Sequence, residues 1–336
     1  MKVLVTGATG FIGGEIVSEL SGNNQQVLAL GRFGKVSADK FPKVTWFQKD
    51  ITDYKNLSDL EEMPGIDAII HSAGLAHQFG DTKKEDFDAV NVSGTENILN
   101  LAVKLKIKHF ILIGSTAIYG VKKSSLDSSS NSSVIDEDAS VAPPTLYAES
   151  KLAGEQICRR VCEENSIPLT IFRLAPVIGE NNTGNVSRLI SAIDENRFIW
   201  IGDGRNLKSL IYKRDVARAC VKLLELKKNG TEIFNLAAEP VMMSDFVDQI
   251  AARLGKKIFP IKIPAVIPRG FFHLNAKFFN FKKVNKISET IEKWLADDVY
   301  TADKIARAYN FKPTTAISEA INRQVDQYKM LKQKAE

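Results

Sequence analysis

Cysteines are few in this sequence, and long apolar segments are missing. The three cysteines cannot all pair, and two of them, Cys158 and Cys162, lie four residues apart on a predicted helix. Unpaired thiols are typical of a reducing compartment, so we expect a cytoplasmic protein. No segment approaches the roughly 18 apolar residues that a membrane-spanning helix needs. The N-terminus also lacks the basic region and apolar run of a signal peptide, and we expect no export by that route.

A strong excess of one charge is missing from the chain as a whole. Its 336 residues include 45 Lys and Arg and 40 Asp and Glu, which gives a net charge of +5. Residues 253–293 hold ten Lys and Arg against two Glu, a local charge of +8 that leaves −3 for the remainder. No nucleic-acid motif accompanies this basic stretch, so we expect no nucleic-acid partner. We also predict no metal site.

Short apolar runs alternate with helical patterns or turns in the first half of the chain. The predicted strands are residues 3–5, 27–30, 44–47, 68–70, 110–113 and 169–172. Parallel strands need crossover connections, so this order predicts an α/β fold with a Rossmann-type doubly wound parallel sheet. A serine-rich segment, residues 122–133, interrupts the pattern and predicts a surface loop.

After Pro176 the alternation loosens, and we predict a smaller, interleaved C-terminal lobe that binds the substrate. The predicted dinucleotide-binding domain is 1–176, with 206–238 returning to it. The predicted substrate-binding lobe is 177–205 together with 239–336.

The first predicted strand runs directly into a glycine-rich turn, and a helical pattern follows it. Glycines at this turn allow backbone N–H groups to approach a pyrophosphate, and the helix N-terminus adds partial positive charge. The GxxGxxG spacing between strand and helix predicts a dinucleotide site. Its predicted members are Gly7, Thr9, Gly10, Phe11, Ile12 and Gly13.

Three further strand ends should surround the same cofactor. The second strand ends without the carboxylate that selects NAD, and Arg32 follows it, so we expect NADP or NAD with NADP slightly favoured. Asp50 and Ile51 follow the third strand, where a carboxylate can meet adenine. Small residues that permit close approach to the cofactor, Ser72, Ala73 and Gly74, follow the fourth strand. His71 is interpreted as a packed residue at the strand end.

A Tyr-x-x-x-Lys motif carries the predicted chemistry. Tyr147 and Lys151 are four residues apart and share one face of a helix, while Ser115 and Thr116 end the fifth strand. A tyrosine with a free pKa of roughly 10 can act as a base if a nearby ammonium favours the phenolate. Ser115 can then hydrogen-bond the reacting oxygen, and we predict that Ser115 and Thr116 bind the substrate. Together these residues indicate alcohol–ketone chemistry.

The ordered motifs resemble those of the extended short-chain dehydrogenases/reductases, and within them the NAD-dependent epimerase/dehydratase family of nucleotide-sugar enzymes. They are TGATGFIG at 6–13, Asp50-Ile51, SAGL at 72–75, NVSGT at 91–95, STAIYG at 115–120 and YAESK at 147–151. The resemblance implies that Ser115, Tyr147 and Lys151 are catalytic.

The same resemblance implies roles for four residues outside this set. Asn91 would support the lysine and contribute to the cofactor site. Asn185 and Val186 would hold the uracil or diphosphate, and Lys208 would stand where the family usually has an arginine on the substrate diphosphate.

Several reactions fit this scaffold. We predict hydride transfer at a sugar carbon, probably C4, by a UDP-sugar 4-epimerase. The alternative is an NADPH-dependent 4-ketoreductase of a nucleotide-linked or lipid-linked sugar. A sterol-type or aldehyde-type dehydrogenase and a non-catalytic dinucleotide sensor are further alternatives. Dehydration is disfavoured because Thr116 and Ala117, which follow Ser115, cannot supply a carboxylic acid pair.

The basic stretch 253–293 contains six phenylalanines and permits two interpretations. The aromatic rings can pack the core of the small lobe while the cations stay solvated. Alternatively, the stretch makes a peripheral contact with an anionic membrane, which would suit a lipid-linked sugar substrate. We expect a homodimer in either case.

Overall fold

The computed structural model describes residues 1–32, 43–76, 82–120, 134–226, 229–259, 261–266 and 291–335. The serine-rich segment lies wholly outside these ranges, and so does most of the basic stretch 253–293. The strands are β1 (Lys2–Thr6), β2 (Gln26–Gly31), β3 (Val44–Gln48), β4 (Ala68–His71), β5 (His109–Ser115), β6 (Leu169–Leu174), β7 (Val177–Ile178), β8 (Trp200–Ile201), β9 (Leu207–Lys208), β10 (Ile211–Tyr212), β11 (Thr231–Leu236), β12 (Val241–Met242) and β13 (Lys262–Ile263). The helices are α1 (Phe11–Gly22), α2 (Lys84–Asp88), α3 (Gly94–Leu105), α4 (Leu146–Glu164), α5 (Asn185–Asp194), α6 (Lys213–Leu224), α7 (Met243–Leu254), α8 (Asp303–Tyr309) and α9 (Ile317–Ala335).

A seven-stranded sheet forms the centre of the molecule, in the order β11-β6-β5-β4-β1-β2-β3. All of its neighbouring strands pair in parallel. Since every connection must cross over the sheet, helices cover both faces, and the inner strands β1, β4, β5 and β6 are buried along almost their whole length. The predicted Rossmann-type fold is confirmed.

Alternating residues of the strands supply two separate cores. On one face, Val3 and Val5 of β1 pack with residues of α1 and α6; on the other, Leu4 packs with residues of α3 and α4. Period-two alternation in a strand that is buried on both sides produces this division. The two helical layers therefore hold the sheet from both faces and leave its carboxyl edge open to a ligand.

A third core belongs to the smaller lobe. It gathers buried residues from α5, α7 and α9, with Trp200 of β8 and Tyr212 of β10 among them. The chain returns from this lobe to the main sheet, where β11 pairs with β6 along the register Thr231–Leu169 to Leu236–Leu174. The predicted return of residues 206–238 thus includes a strand of the central sheet, while the exact domain boundaries stay a prediction.

A buried ion pair ties α4 to the sheet. Arg173 of β6 donates through Nε and Nη2 to the two carboxylate oxygens of Glu155 on α4, at 3.1 and 2.6 Å. Its Nη1 donates to the hydroxyl of Tyr119 at 2.8 Å. Both charged side chains are buried, so removing either would leave an uncompensated charge in the interior. The pair therefore fixes α4 against β6 and against the segment that follows β5.

No helix in the described ranges is both long enough and apolar enough to cross a membrane.

Candidate active site

The glycine-rich turn lies at the carboxyl edge of the sheet and forms a close backbone cradle. Gly7 has a φ of +64°, and a Cβ placed there would stand 2.7 Å from the backbone nitrogen of Ala73. A Cβ at Gly13 would stand 2.1 Å from the carbonyl oxygen of Gly7. Because α1 begins at Phe11 without a side-chain cap, its first N–H groups face the turn. This cradle fits the pyrophosphate of a dinucleotide.

The predicted adenosine residues lie at the ends of β2 and β3. Arg32 directly follows β2 and is exposed. Asp50 Oδ1 accepts hydrogen bonds from the backbone nitrogen and the hydroxyl of Thr52, at 2.9 and 2.8 Å. The pKa of Asp50 is lowered, chiefly by the backbone hydrogen bond from Thr52 and to a lesser degree by the charge of Arg32. The two predicted residues therefore share one electrostatic environment.

The catalytic helix α4 begins just before the predicted tyrosine. Thr145 caps it, with its hydroxyl accepting from the backbone nitrogen of Ala148 at 3.2 Å. Tyr147 lies in the first turn, close enough to Ser115 at the end of β5 for the serine hydroxyl to lower the pKa of the phenol. One turn further on, Lys151 donates from Nζ to the carbonyl oxygen of Ile113 at 2.7 Å. The structure therefore brings the three predicted catalytic residues together.

Burial acts on both ionisable groups of this set. It raises the pKa of the Tyr147 phenol, although the hydrogen bond with Ser115 opposes the rise. It lowers the pKa of Lys151 to about 8, against smaller raising effects from Cys158 and Glu155. Lys151 is thus still largely protonated at neutral pH. An ammonium in this position can favour the phenolate when Tyr147 gives up or takes a proton.

The side chain of Asn91 links the loop that follows β4 to helix α4. It lies in a π-helical turn, Ala89–Ser93, and its side chain is buried. Its amide accepts from the backbone nitrogen of Leu75 at 2.7 Å and donates to the Leu75 carbonyl and to the Ser150 hydroxyl, both at 2.9 Å. Ser150 in turn donates to the carbonyl of Tyr147. Asn91 therefore supports Lys151 through the backbone around it.

The small residues that follow β4 leave room beside the Asn91 side chain. A Cβ at Gly74 would stand 3.2 Å from Asn91 Oδ1 and 3.7 Å from Lys151 Nζ. A cofactor that enters along Ser72–Gly74 would therefore meet the lysine without a side chain in between.

The predicted substrate residues are placed less uniformly. Thr116 is buried and its hydroxyl donates to the carbonyl of Leu174, a contact that does not favour a role in substrate binding. Asn185 and Val186 begin α5, with Asn185 exposed. The Lys208 ammonium donates to the carbonyls of Lys293 and Ala296 and to Asp298 at 2.6–2.7 Å. Binding of a diphosphate by Lys208 would have to replace some of these bonds.

Sequence reasoning missed the residues that hold the catalytic groups in place. Ser150 lies inside the YAESK motif and could have been found from its position between Tyr147 and Lys151. Glu155 and Arg173 are far apart in sequence, and nothing in the local pattern indicated that they pair. Within the described ranges, no group of three or more His, Cys, Asp or Glu side chains could hold a metal ion.

The model of the NAD dependent epimerase/dehydratase family matches residues 3–237, which include the turn, the strand ends and the catalytic helix. The chain belongs to this family. It is therefore an NAD-dependent enzyme of the extended short-chain dehydrogenase/reductase type.

Named relatives of this family member span more than one substrate. It is 27% identical to an N-acetyl-α-D-glucosaminyl-diphospho-ditrans,octacis-undecaprenol 4-epimerase of Escherichia coli O157:H7, over 96% of this chain and 93% of that one. It is 29% identical to a UDP-glucose 4-epimerase of Lactobacillus helveticus, over 70% and 76% of the two chains. It is 28% identical to the dTDP-D-glucose 4,6-dehydratase of Homo sapiens, over 70% and 68%.

Solved structures show the same fold. The UDP-glucuronic acid 4-epimerase from Bacillus cereus, crystallised with NAD, is 23% identical and superposes with a TM-score of 0.74. The comparison covers 98% of this chain and 99% of that one. At this identity the likeness concerns the fold, including the position of the smaller lobe beside the sheet.

We expect the Tyr147→Phe variant to lose turnover by about 10²–10⁴-fold, because the phenol oxygen transfers a proton while the ring only packs. NAD binding should stay close to that of the wild type. Steady-state kinetics and NAD titration measure the two effects separately. Tyr54→Phe is the matched control, since Tyr54 donates to Glu61 away from the site. Turnover of Tyr147→Phe within a few-fold of the control would contradict the assigned role.

Proposed function

We propose that the protein epimerises C4 of a hexose that is carried on a diphosphate, with NAD as the cofactor. The observation that carries this proposal is the arrangement of Tyr147. The phenol lies close enough to Ser115 for that hydroxyl to lower its pKa, and it lies one helical turn before Lys151, on the same sheet edge as the glycine cradle. An alcohol oxygen bound at Ser115 would lie within reach of the phenol.

The protein's own groups have separate tasks in this reaction. Ser115 orients the sugar hydroxyl, the Tyr147 phenolate, which Lys151 stabilises, takes its proton as the carbonyl forms, and the resulting phenol returns a proton to the same oxygen when the hydride comes back. Bound NAD would supply the hydride acceptor and return the hydride to the opposite face of the sugar carbon. The residues that would hold it are the glycine cradle, Asp50, the loop after β4 and Lys151.

The neighbourhood of Ser115 supports epimerisation over dehydration. Elimination of water needs an acid for the leaving group and a base for the adjacent carbon. Thr116 is buried and bonded to Leu174, and Ala117 carries no functional group. The 4-ketoreductase with NADPH uses the same three catalytic residues and remains the alternative reaction.

The diphosphate carrier has two candidates. A nucleotide is the first, as in the Lactobacillus helveticus relative. A polyprenol is the second, because the Escherichia coli relative is named for a undecaprenol-linked sugar and the match covers 96% of this chain.

An assay of the purified protein without added cofactor tests this function. We expect a UDP-hexose or a polyprenyl-diphosphate N-acetylhexosamine to be converted to its C4 epimer, because an epimerase regenerates its bound NAD in each cycle. Chromatography of the released sugars identifies the product. A reduced sugar that forms only with added NADPH would show the ketoreductase instead. If neither the C4 epimer nor the reduced sugar forms with either carrier, the proposal is contradicted.

The preference for NADP that Arg32 suggests is a separate prediction. If Arg32 binds a 2′-phosphate, Arg32→Ala should weaken NADPH binding by about 10- to 150-fold, the usual range for a charge-assisted hydrogen bond, and leave NADH binding unchanged. Fluorescence titration of both cofactors measures this. Arg205→Ala removes an exposed arginine elsewhere and is the control. Equal behaviour of the two cofactors would remove the reason to expect NADP.

We also propose a peripheral membrane contact, which rests on an exposed apolar patch of the small lobe. The patch consists of Ile199, Phe259 and Ile261, which are 63%, 71% and 63% exposed. The parallel pairing of Lys262 with Trp200 places Ile261 beside Ile199. Lys257 and Lys262 are exposed next to them, and such a combination suits an anionic lipid surface.

The buried, unpaired cysteines support a cytoplasmic location. That the protein forms a homodimer stays a prediction.

Sedimentation with vesicles of anionic lipid tests the membrane contact. We expect the wild type to sediment at low salt and to be released as salt rises, because the attraction is partly electrostatic. A double variant, Phe259→Ser with Ile261→Ser, should stay in the supernatant. Met330→Ser removes an equally exposed apolar side chain from α9 and should sediment like the wild type. Wild-type protein that stays in solution with these vesicles would overturn the proposal.

A further inference from the structure

A buried histidine lies between the cofactor loop and the catalytic helix, and the proposed reaction gives it no task. His71 is the last residue of β4. Its Nδ1 lies 2.8 Å from the hydroxyl of Thr6, and its Nε2 lies 3.0 Å from the hydroxyl of Thr95. Both ring nitrogens therefore have a buried hydroxyl as partner.

The other contacts of Thr95 and Thr6 determine which atoms donate and which accept in this series of hydrogen bonds. Thr95 donates its hydroxyl proton to the carbonyl of Asn91 at 2.8 Å, so its oxygen must accept from Nε2 of His71. The other ring nitrogen, Nδ1, then accepts from the hydroxyl of Thr6. The Thr6 oxygen in turn accepts from the backbone nitrogen of Ala73 at 3.1 Å. All donors point in one direction, from Ala73 to Asn91.

This arrangement requires a neutral imidazole. A second proton on the ring would place an N–H at Nδ1 against the hydroxyl proton of Thr6, and the chain would break. Burial first, and then the charge of Lys151, lower the pKa of His71 to about 3. The ring consequently stays neutral, with its proton on Nε2, throughout the range in which the protein would work.

The two ends of this series of hydrogen bonds lie in different parts of the site, one at the glycine-rich turn and the other at helix α4. Thr6 directly precedes Gly7, and the backbone of Ala73 is the surface against which Gly7 packs. Asn91 is hydrogen-bonded to Leu75 and to Ser150. Helix α4 also approaches Asn91 closely, since a Cβ at Gly154 would stand 2.5 Å from its carbonyl oxygen. The Asn91 carbonyl oxygen, which accepts the last hydrogen bond of this series, is therefore also the atom on which α4 packs.

We propose that His71 is a positioning residue for the cofactor cradle and Lys151. The neutral ring, bridging Thr6 and Thr95, holds the Asn91 carbonyl in place, and Asn91 in turn sets the distance between the loop after β4 and α4. This inference rests on the proposed function for its effect on turnover, whereas its effect on NAD binding does not depend on the sugar.

The test uses Thr95, whose hydroxyl can be removed with little change of shape. Thr95→Val breaks the chain at the Asn91 end, and Thr95→Ser restores the hydroxyl. Thr170→Val is the matched control. Thr170 is buried and its hydroxyl lies 2.9 Å from Nε2 of His109, at the amino end of β5 and away from the site. Both valine variants lose a buried threonine–histidine hydrogen bond, and Thr95→Val also loses the bond to the Asn91 carbonyl, so both melting temperatures should fall and that of Thr95→Val should fall further.

We expect only Thr95→Val to change the site. Its kcat should fall by about tenfold or more, because small misplacements of catalytic groups are costly, and its affinity for NAD should fall as well. Thr170→Val should keep both values within about twofold of the wild type, and Thr95→Ser should recover most of the loss. Equal NAD affinity and equal kcat in the two valine variants would overturn the proposal and leave His71 a packing residue. If no sugar is turned over by the wild type, the proposed function fails, and the NAD titration still decides the role of His71.

Discussion

Close approach of backbone to backbone at the carboxyl edge of the sheet is the constraint on which the site depends. Gly7 packs on the backbone of Ala73, Gly13 on the carbonyl of Gly7, and Gly154 on the carbonyl of Asn91. At each of these places a methyl group would fall at 2.7 Å or less from backbone atoms that cannot move aside. The cofactor cradle, the loop after β4 and the catalytic helix are therefore held at distances that only glycine permits.

Burial is the second constraint, and it gives the polar groups their states. It raises the pKa of Tyr147 and lowers the pKa of Lys151 to about 8, so the two pKa values, which nearly coincide in water, move apart. It also keeps His71 neutral. The buried pair of Glu155 and Arg173 holds α4 rigidly enough for these effects to act at fixed distances. Catalysis of this kind depends on preorganised groups, and the interior supplies that order.

Much of the fold and of the arrangement of the candidate site could be predicted from the sequence. The six predicted strands all occur, since buried parallel strands leave continuous apolar runs, and Ser115, Tyr147 and Lys151 meet because strand ends and helix starts share one edge. The individual contacts that position these groups could not be found in this way, although the resemblance implied that Asn91 supports Lys151. The bonds of Asn91 to Leu75 and Ser150, and that of Arg173 to Glu155, join distant segments and follow from packing. The small lobe has short strands and weak periodicity, so its substrate residues were the least predictable.

The central claim is that the sugar carbon itself loses and regains a hydride within the site. A substrate with deuterium in place of hydrogen at C4, followed by mass spectrometry of the product formed in ordinary water, tests it most directly. The account predicts that the C4 epimer retains its deuterium through complete turnover, because the label stays within the closed cycle of the enzyme. Loss of the deuterium to the solvent would indicate removal of a proton from carbon and would contradict the account.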